Sequence, residues 1–205
     1  MSIDTASPDE AQLVALGRSV AYACLAAGFT WPNGDAPAPP SGDDAGPLGR
    51  LIGALADART VTSLDDLQSS FMRIFDPRQP PHPFEAEHLT EHFRQRTDML
   101  ADLNGFYEAF AVSPNHERPD HIGCELEFIH LLSLKEALAI RDGRAEQAEV
   151  CAEARQKFLS EHLLLWYERV VEVIRLRAVD PEDRFYLALA DLLEALMAQE
   201  KETQT

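Results

Sequence analysis

Glu117-Arg118-Pro119-Asp120-His121-Ile122-Gly123-Cys124-Glu125-Leu126-Glu127-Phe128 starts as a polar turn and runs into the most apolar helix of the sequence. Pro119 biases Arg118 away from the helical region. Asp120 is then placed to cap the next turn, because a carboxylate accepts from backbone N–H groups that lack an intrahelical partner. Beyond it Ile122, Leu126, Phe128, Ile129, Leu131, Leu132, Leu134, Leu138 and Ile140 fall on nearly every face. A helix apolar all round is buried on most sides, so this one is expected at the centre of the fold. Asp120 and His121 then sit at its mouth, an acid and an imidazole beside a dense core.

The rest of the chain breaks into helices on both sides of that stretch. Ser7-Pro8-Asp9-Glu10 combines a capping serine, a proline at the first helical position and a glutamate at the third, which together start a helix. Leu13, Leu16, Val20, Cys24 and Leu25 mark its expected inner face through Gly28. Residues 31–47 hold five prolines and three glycines and read as a long loop. A short helix follows with Leu48, Leu51, Ile52 and Leu55 on one side. Ser63 and Asp66 open another, carrying Leu64, Leu67, Phe71, Ile74 and Phe75.

Pro77, Pro80, Pro81 and Pro83 make a second break. Residues 85–110 read as one helix with Leu89, Phe93, Leu100, Leu103, Phe106, Tyr107 and Phe110 inward and a place to bend at Asn104-Gly105. The central helix stops at Asp142-Gly143. Residues 145–177 read as one long helix, with Leu159, His162, Leu163, Trp166, Val170, Val173 and Ile174 on a single face. Asp180-Pro181-Glu182-Asp183 starts the last helix, with Leu189, Leu192, Leu193 and Leu196 inward. No segment alternates with period two, so the fold class is all-α, a helical bundle. It is expected to have an N-terminal portion, 1–112, and a C-terminal portion, 113–205, joined by a hinge near 113–120 as one unit.

Bulk chemistry narrows the function. The 205 residues carry 18 Lys and Arg against 35 Asp and Glu, a formal net charge of −17. That argues against nucleic acid, whose binding rests on cations neutralising phosphates, and favours a basic partner. Cys24, Cys124 and Cys151 form no C-x-x-C pair, so neither a disulfide framework nor a thiolate zinc site is suggested. The acidic start of the chain lacks the apolar core of a secretory signal, and no run approaches the ~20 apolar residues of a membrane span.

His88-Leu89-Thr90-Glu91-His92 matches H-x-x-E-H. On a helix it would put two imidazoles one turn apart with a glutamate beside them, a zinc-hydrolase arrangement that still needs a third ligand. A solvated helix face is the plainer reading. No G-x-S-x-G and no phosphate-cradling glycine loop is present, which argues against an efficient nucleotide-dependent switch. His162, on an apolar face, is expected to be a core histidine satisfied by a buried hydrogen bond. Asp120 and His121 have two readings: a helix cap with a first-turn side chain, or a pair facing a groove that binds a cationic peptide. A carboxylate suits arginine through paired charge-assisted hydrogen bonds.

Three blocks, in order, carry a resemblance. The first is Phe71-Met72-Arg73-Ile74-Phe75 leading to Pro80-Pro81-His82-Pro83-Phe84-Glu85. The second is residues 117–128, and the third is Phe158-Leu159-Ser160-Glu161-His162-Leu163-Leu164-Leu165-Trp166. Together they resemble the TorD/DmsD family of cytoplasmic chaperones dedicated to molybdenum-containing oxidoreductases. The Asp120-His121-Ile122-Gly123 form is similar to the branch serving enzymes such as ethylbenzene dehydrogenase, dimethyl sulfide dehydrogenase or selenate reductase. The resemblance implies an all-helical chaperone without catalytic residues, metal or cofactor of its own. It also implies that the partner is a molybdoenzyme precursor, recognised through its twin-arginine leader and held until molybdopterin insertion. Asp120 and His121 fall on positions associated with leader binding; Pro119 and Glu117 shape that loop, and Phe84 stands where relatives often carry a larger aromatic. Aromatic, leucine and methionine side chains near Phe71 and Phe84 would floor the site. The expected state is a monomer, with a swapped dimer as the alternative that a hinge permits.

Overall fold

A computed structural model describes residues 7–33, 46–114 and 118–203. Among these the regular elements are helical: α1 (Pro8–Gly28), α2 (Gly46–Val61), α3 (Leu64–Ile74), α4 (Glu85–Leu89), α5 (Phe93–Ala109), α6 (Ile122–Arg141), α7 (Ala145–Glu161), α8 (Tyr167–Arg177) and α9 (Arg184–Thr203). Short 3-10 turns at Leu163–Leu165 and Pro181–Asp183 complete them. The all-α expectation holds. Residues 34–45 of the first loop and Glu117 lie outside the described residues, and Gly46 and Pro47 already belong to α2.

α6 is the central helix. It packs against α1 on one side and α7 on the other, and Ile122, Leu126, Phe128, Ile129 and Leu132 are buried. It ends at Gly143, whose φ of 68° is a left-handed conformation that favours glycine. The Gly143 and Arg144 amides donate back to Ile140 and Ala139 at 3.0 and 2.8 Å. Its N-cap is His121, not Asp120: the His121 Nδ1 accepts from the Gly123 amide at 3.1 Å.

α1 starts as expected, with the Ser7 hydroxyl accepting from the Glu10 amide at 3.3 Å. Its inner face differs. Ala15, Ser19, Tyr22, Leu25, Ala26 and Phe29 are buried, while Leu13 and Val14 are 68% and 56% exposed. The helix turns its small residues inward because it packs against both α6 and α9, and side-chain size at the contact sets how near two helix axes come. At Gly28 a Cβ would stand 2.4 Å from a Leu189 methyl. By length and composition alone α1 could cross a membrane, and 44% of its apolar window is buried in this fold.

Two expected helices are broken. Residues 85–110 divide at Thr90 and His92, both extended (ψ 135° and 147°), and α5 then runs through Asn104-Gly105 to Ala109. The Thr90 hydroxyl takes the Ala86 carbonyl at 2.6 Å. The Gln95 side chain then accepts from the Glu91 and His92 amides and restarts the helix. Phe93 is consequently 85% exposed rather than in the core. Residues 145–177 divide at His162 (φ −127°, ψ −93°), where the chain turns two side chains onto buried carboxyls.

One contiguous apolar core runs from Tyr22 on α1 to Met197 on α9. Beside it lies a buried ionic network. Arg155 donates to Glu200 at 2.7 Å, and Glu200 also accepts from the Tyr22 hydroxyl at 3.3 Å. Arg18 donates to Glu136 at 3.2 Å and approaches Glu200 at 3.5 Å. These contacts join α1, α6, α7 and α9.

Candidate peptide-recognition site

The proline-rich break before α4 and the turn before α6 meet as an isolated antiparallel bridge, Phe84 opposite His121. The Ile122 amide donates to the Pro83 carbonyl at 3.0 Å, and the Glu85 amide to the Asp120 carbonyl at 2.8 Å. Buried backbone groups of two irregular segments are thereby satisfied by each other. The proline-rich side is pinned from behind by Arg177, which donates to the Ile74 and Gln79 carbonyls, both at 2.7 Å.

Asp120 is fully buried. Its carboxylate accepts from the Ala86 amide at 3.3 Å and takes the Arg118 guanidinium as a fork, at 3.0 and 2.6 Å. It therefore caps α4 across the bridge rather than α6, and its arginine is Arg118. Arg118 in turn lies 3.9 Å above the Phe84 ring centroid, a cation–π contact. Phe84 and His121 meet edge-to-face at 5.2 Å. The Pro119 carbonyl accepts from the Tyr107 hydroxyl at 2.7 Å, which fixes the turn to α5.

Behind the bridge the three sequence blocks converge. His162 Nδ1 is hydrogen-bonded to both carboxyl oxygens of Glu85 at 3.1 Å, and its Nε2 lies 3.2 Å from Asp102. The buried hydrogen bond expected of His162 is thus found at Nδ1, with Glu85 as its partner. The Trp166 indole donates to Glu125 at 3.2 Å. Burial pushes the Glu85 carboxyl up, against the opposing pull of His162. It pushes Glu125 well above the usual carboxylate range, reinforced by the neighbouring Glu85. Glu125 was not anticipated as a polar anchor; an acid inside a helix apolar all round was the signal.

In front of the bridge lies an open groove of about 790 Å³. Phe29, Phe71, Met72 and Phe75 floor it, with Trp31 beside them. Phe84 and His121 form part of its wall, and Ala23, Ala26 and Ala27 of α1 line it as well. The aromatic floor near Phe71 and Phe84 was expected; the alanine wall was not, because small residues give no periodic apolar signal. Of the anticipated residues, Phe84 and His121 face the groove, Asp120 and Pro119 support it from behind, and Glu117 is outside the described residues.

Residues 41–172 match the family described as nitrate reductase delta subunit. The chain belongs to this family. The resemblance to TorD/DmsD proteins, and to their delta-subunit branch, is borne out. The family region contains the whole bridge and the buried cluster, whereas α1 and its alanine wall fall before it. Similar proteins include the perchlorate reductase assembly chaperone of Dechloromonas aromatica strain RCB, 28% identical over 66% of this chain and 60% of its own. The selenate reductase assembly chaperone of Thauera selenatis is 39% identical over 49% of this chain and 52% of its own. The chlorate reductase assembly chaperone of Ideonella dechloratans is 45% identical over 40% and 42%. The matches thus span 60% or less of these relatives' lengths.

The H-x-x-E-H stretch does not form the helical face that zinc hydrolysis requires. His88 lies in α4, with its ring against Trp166 at 5.2 Å and its Nε2 bonded to the His82 carbonyl at 2.9 Å. His92 lies in the extended break, as the N-cap residue of α5. Among the described residues no group of three or more His, Cys, Asp or Glu side chains is placed to hold a metal ion.

The raised Glu125 carboxyl sets a pH dependence. Its proton is held more tightly folded than unfolded, so its contribution to stability is complete below the unfolded carboxyl's pKa, near 4.5. That contribution is lost as pH rises through the higher folded value. Glu125→Gln keeps an acceptor for Trp166 and cannot ionise. Its urea midpoint is expected to fall less than the wild type's between pH 5 and 8. Identical slopes for the two proteins would refute this.

Proposed function

We propose that this chain is a non-enzymatic cytoplasmic assembly chaperone for the catalytic subunit of a molybdenum-containing reductase or dehydrogenase. It holds the subunit, through its twin-arginine leader, its apo body or both, until the molybdopterin cofactor is inserted and before export. Family membership and relatives named as reductase assembly chaperones support this reading. The observation that carries it is the bridge that seats Phe84 and His121 beside an open apolar groove. In this reading Phe84 and His121 touch the leader, while Asp120 and Pro119 hold them in place. Glu117, which precedes Arg118 in the sequence, is proposed with them. Portions 1–112 and 113–205 act as one unit, and the working state is a monomer. A groove of this kind suits an apolar peptide segment flanked by cations.

The test is calorimetric titration with the leader peptide of the molybdoenzyme encoded nearest the gene. Binding is expected, insensitive to chelator and weakened by salt in its electrostatic part. His121→Ala and Met72→Asp should each weaken it by about tenfold or more, as contact residues worth over ~1.4 kcal/mol do. Wild-type affinity in both variants would move the site elsewhere, and no binding by folded wild type would remove leader recognition from the function.

A further inference from the structure

One of the two sequence readings made Asp120 the carboxylate for a client arginine, and in the structure that carboxylate is taken by Arg118. We propose that Glu127 is the residue that reads the cation. Glu127 stands one turn beyond Gly123 on α6, at the open edge of the groove, and its side chain is exposed. The inference rests on the groove being the peptide site and adds what selects the peptide.

The polar groups around the groove separate Glu127 from the rest. His130 Nδ1 is hydrogen-bonded to the Ser19 hydroxyl at 2.9 Å. His82 is held between Glu87 at 2.6 Å and the Pro77 carbonyl at 3.0 Å. His121 Nδ1 accepts from the Gly123 amide. The Thr30 hydroxyl donates to the Ala27 carbonyl at 2.8 Å. Among the described residues lining this groove Glu127 is the one carboxylate, and no hydrogen bond or ion pair joins it to another described side chain. An unpaired carboxylate beside an aromatic and aliphatic floor recognises a cation joined to apolar side chains.

Arginine fits this edge better than lysine. Its planar fork pairs both carboxylate oxygens, and it is less strongly hydrated than an ammonium. Trp31, 48% exposed on the same groove, offers a ring face for the guanidinium. The occupant is therefore a leader segment with an arginine next to bulky apolar residues. The net charge of −17 steers such a segment inward, but the selection is made at one side chain.

Titration of the leader peptide against Glu127→Gln and Met72→Asp, with the peptide's arginines replaced one at a time by glutamine, tests the assignment. Glu127→Gln should weaken binding by about fivefold, the size of one partly exposed ion pair, and flatten the salt dependence. One arginine-to-glutamine peptide should bind wild type that much more weakly and bind Glu127→Gln with no further loss. Glu127→Gln binding within about twofold of wild type with the same salt slope, while Met72→Asp loses the peptide, would overturn the role of Glu127 and leave the groove intact. Failure of the wild type to bind would overturn both. The variant should fold normally, since exposed positions without partners tolerate such changes.

Discussion

Arg155→Met is expected to lower the free energy of unfolding by about 3–5 kcal/mol, the cost of breaking a buried ion pair on one side. For a chain of this size that corresponds to roughly 6–20 °C in melting temperature. Arg155 is 4% exposed and its guanidinium sits 2.7 Å from Glu200. Glu200 is nearly as buried and also takes the Tyr22 hydroxyl. Methionine fills much of the space but leaves that carboxylate without its cation. Arg18, at 3.5 Å, softens the loss toward the lower end of the range. The double variant Arg155→Met/Glu200→Met removes both charges and should recover much of the stability lost by the single change. Chemical denaturation of the two single variants and the double decides it. A single variant within about 1 kcal/mol of wild type would mean the network carries no such weight.

Trp166→Ala should cost a similar amount, about 3–5 kcal/mol, because it empties a fully buried indole from the core. Trp166→Phe separates volume from hydrogen bonding. It keeps most of the ring but deletes the donor to Glu125, so about 1–3 kcal/mol is expected from the unpaired acceptor. The loss should be smallest where Glu125 is protonated. That variant has a second use: the chain has two tryptophans, so its fluorescence would report Trp31 in the groove. A Trp166→Ala protein as stable as wild type would mean the pocket behind the bridge is not packed as described.

The central helix was legible because its apolar residues cover all faces and its stop is a glycine that the turn requires. The inner face of α1 was only partly legible, because Leu13 and Val14 point outward while much of the close packing is made by alanine, serine and glycine beside Tyr22 and Leu25. Both missed breaks share a cause. Helical periodicity continues across Thr90–His92 and across His162–Trp166, and in each case tertiary contacts override local preference. At the site, the order of the three blocks showed that they belong together, but the pairing of Phe84 with His121 exists only in space. Neither reading of Asp120, cap of the following helix or groove-facing acid, included its closure by Arg118, two positions earlier.

The packing of α1 on α6 and α9 also orders the folding of the chain in time. Tyr22 and Glu200 are hydrogen-bonded across 178 residues, and α2 likewise packs on α9. Contacts of this reach are unusual in helical bundles and slow their folding, since large loops must close before any reward is gained. During synthesis α1 emerges with its inner face uncovered until α6 is made, and the contacts of α1 and α2 with α9 form last. The groove shares part of that timing: one of its sides is α1, which packs chiefly on α6 and is completed by its contact with α9. A chain interrupted before α9 has both segments of the Phe84–His121 bridge, yet lacks one of the two helices on which α1 packs.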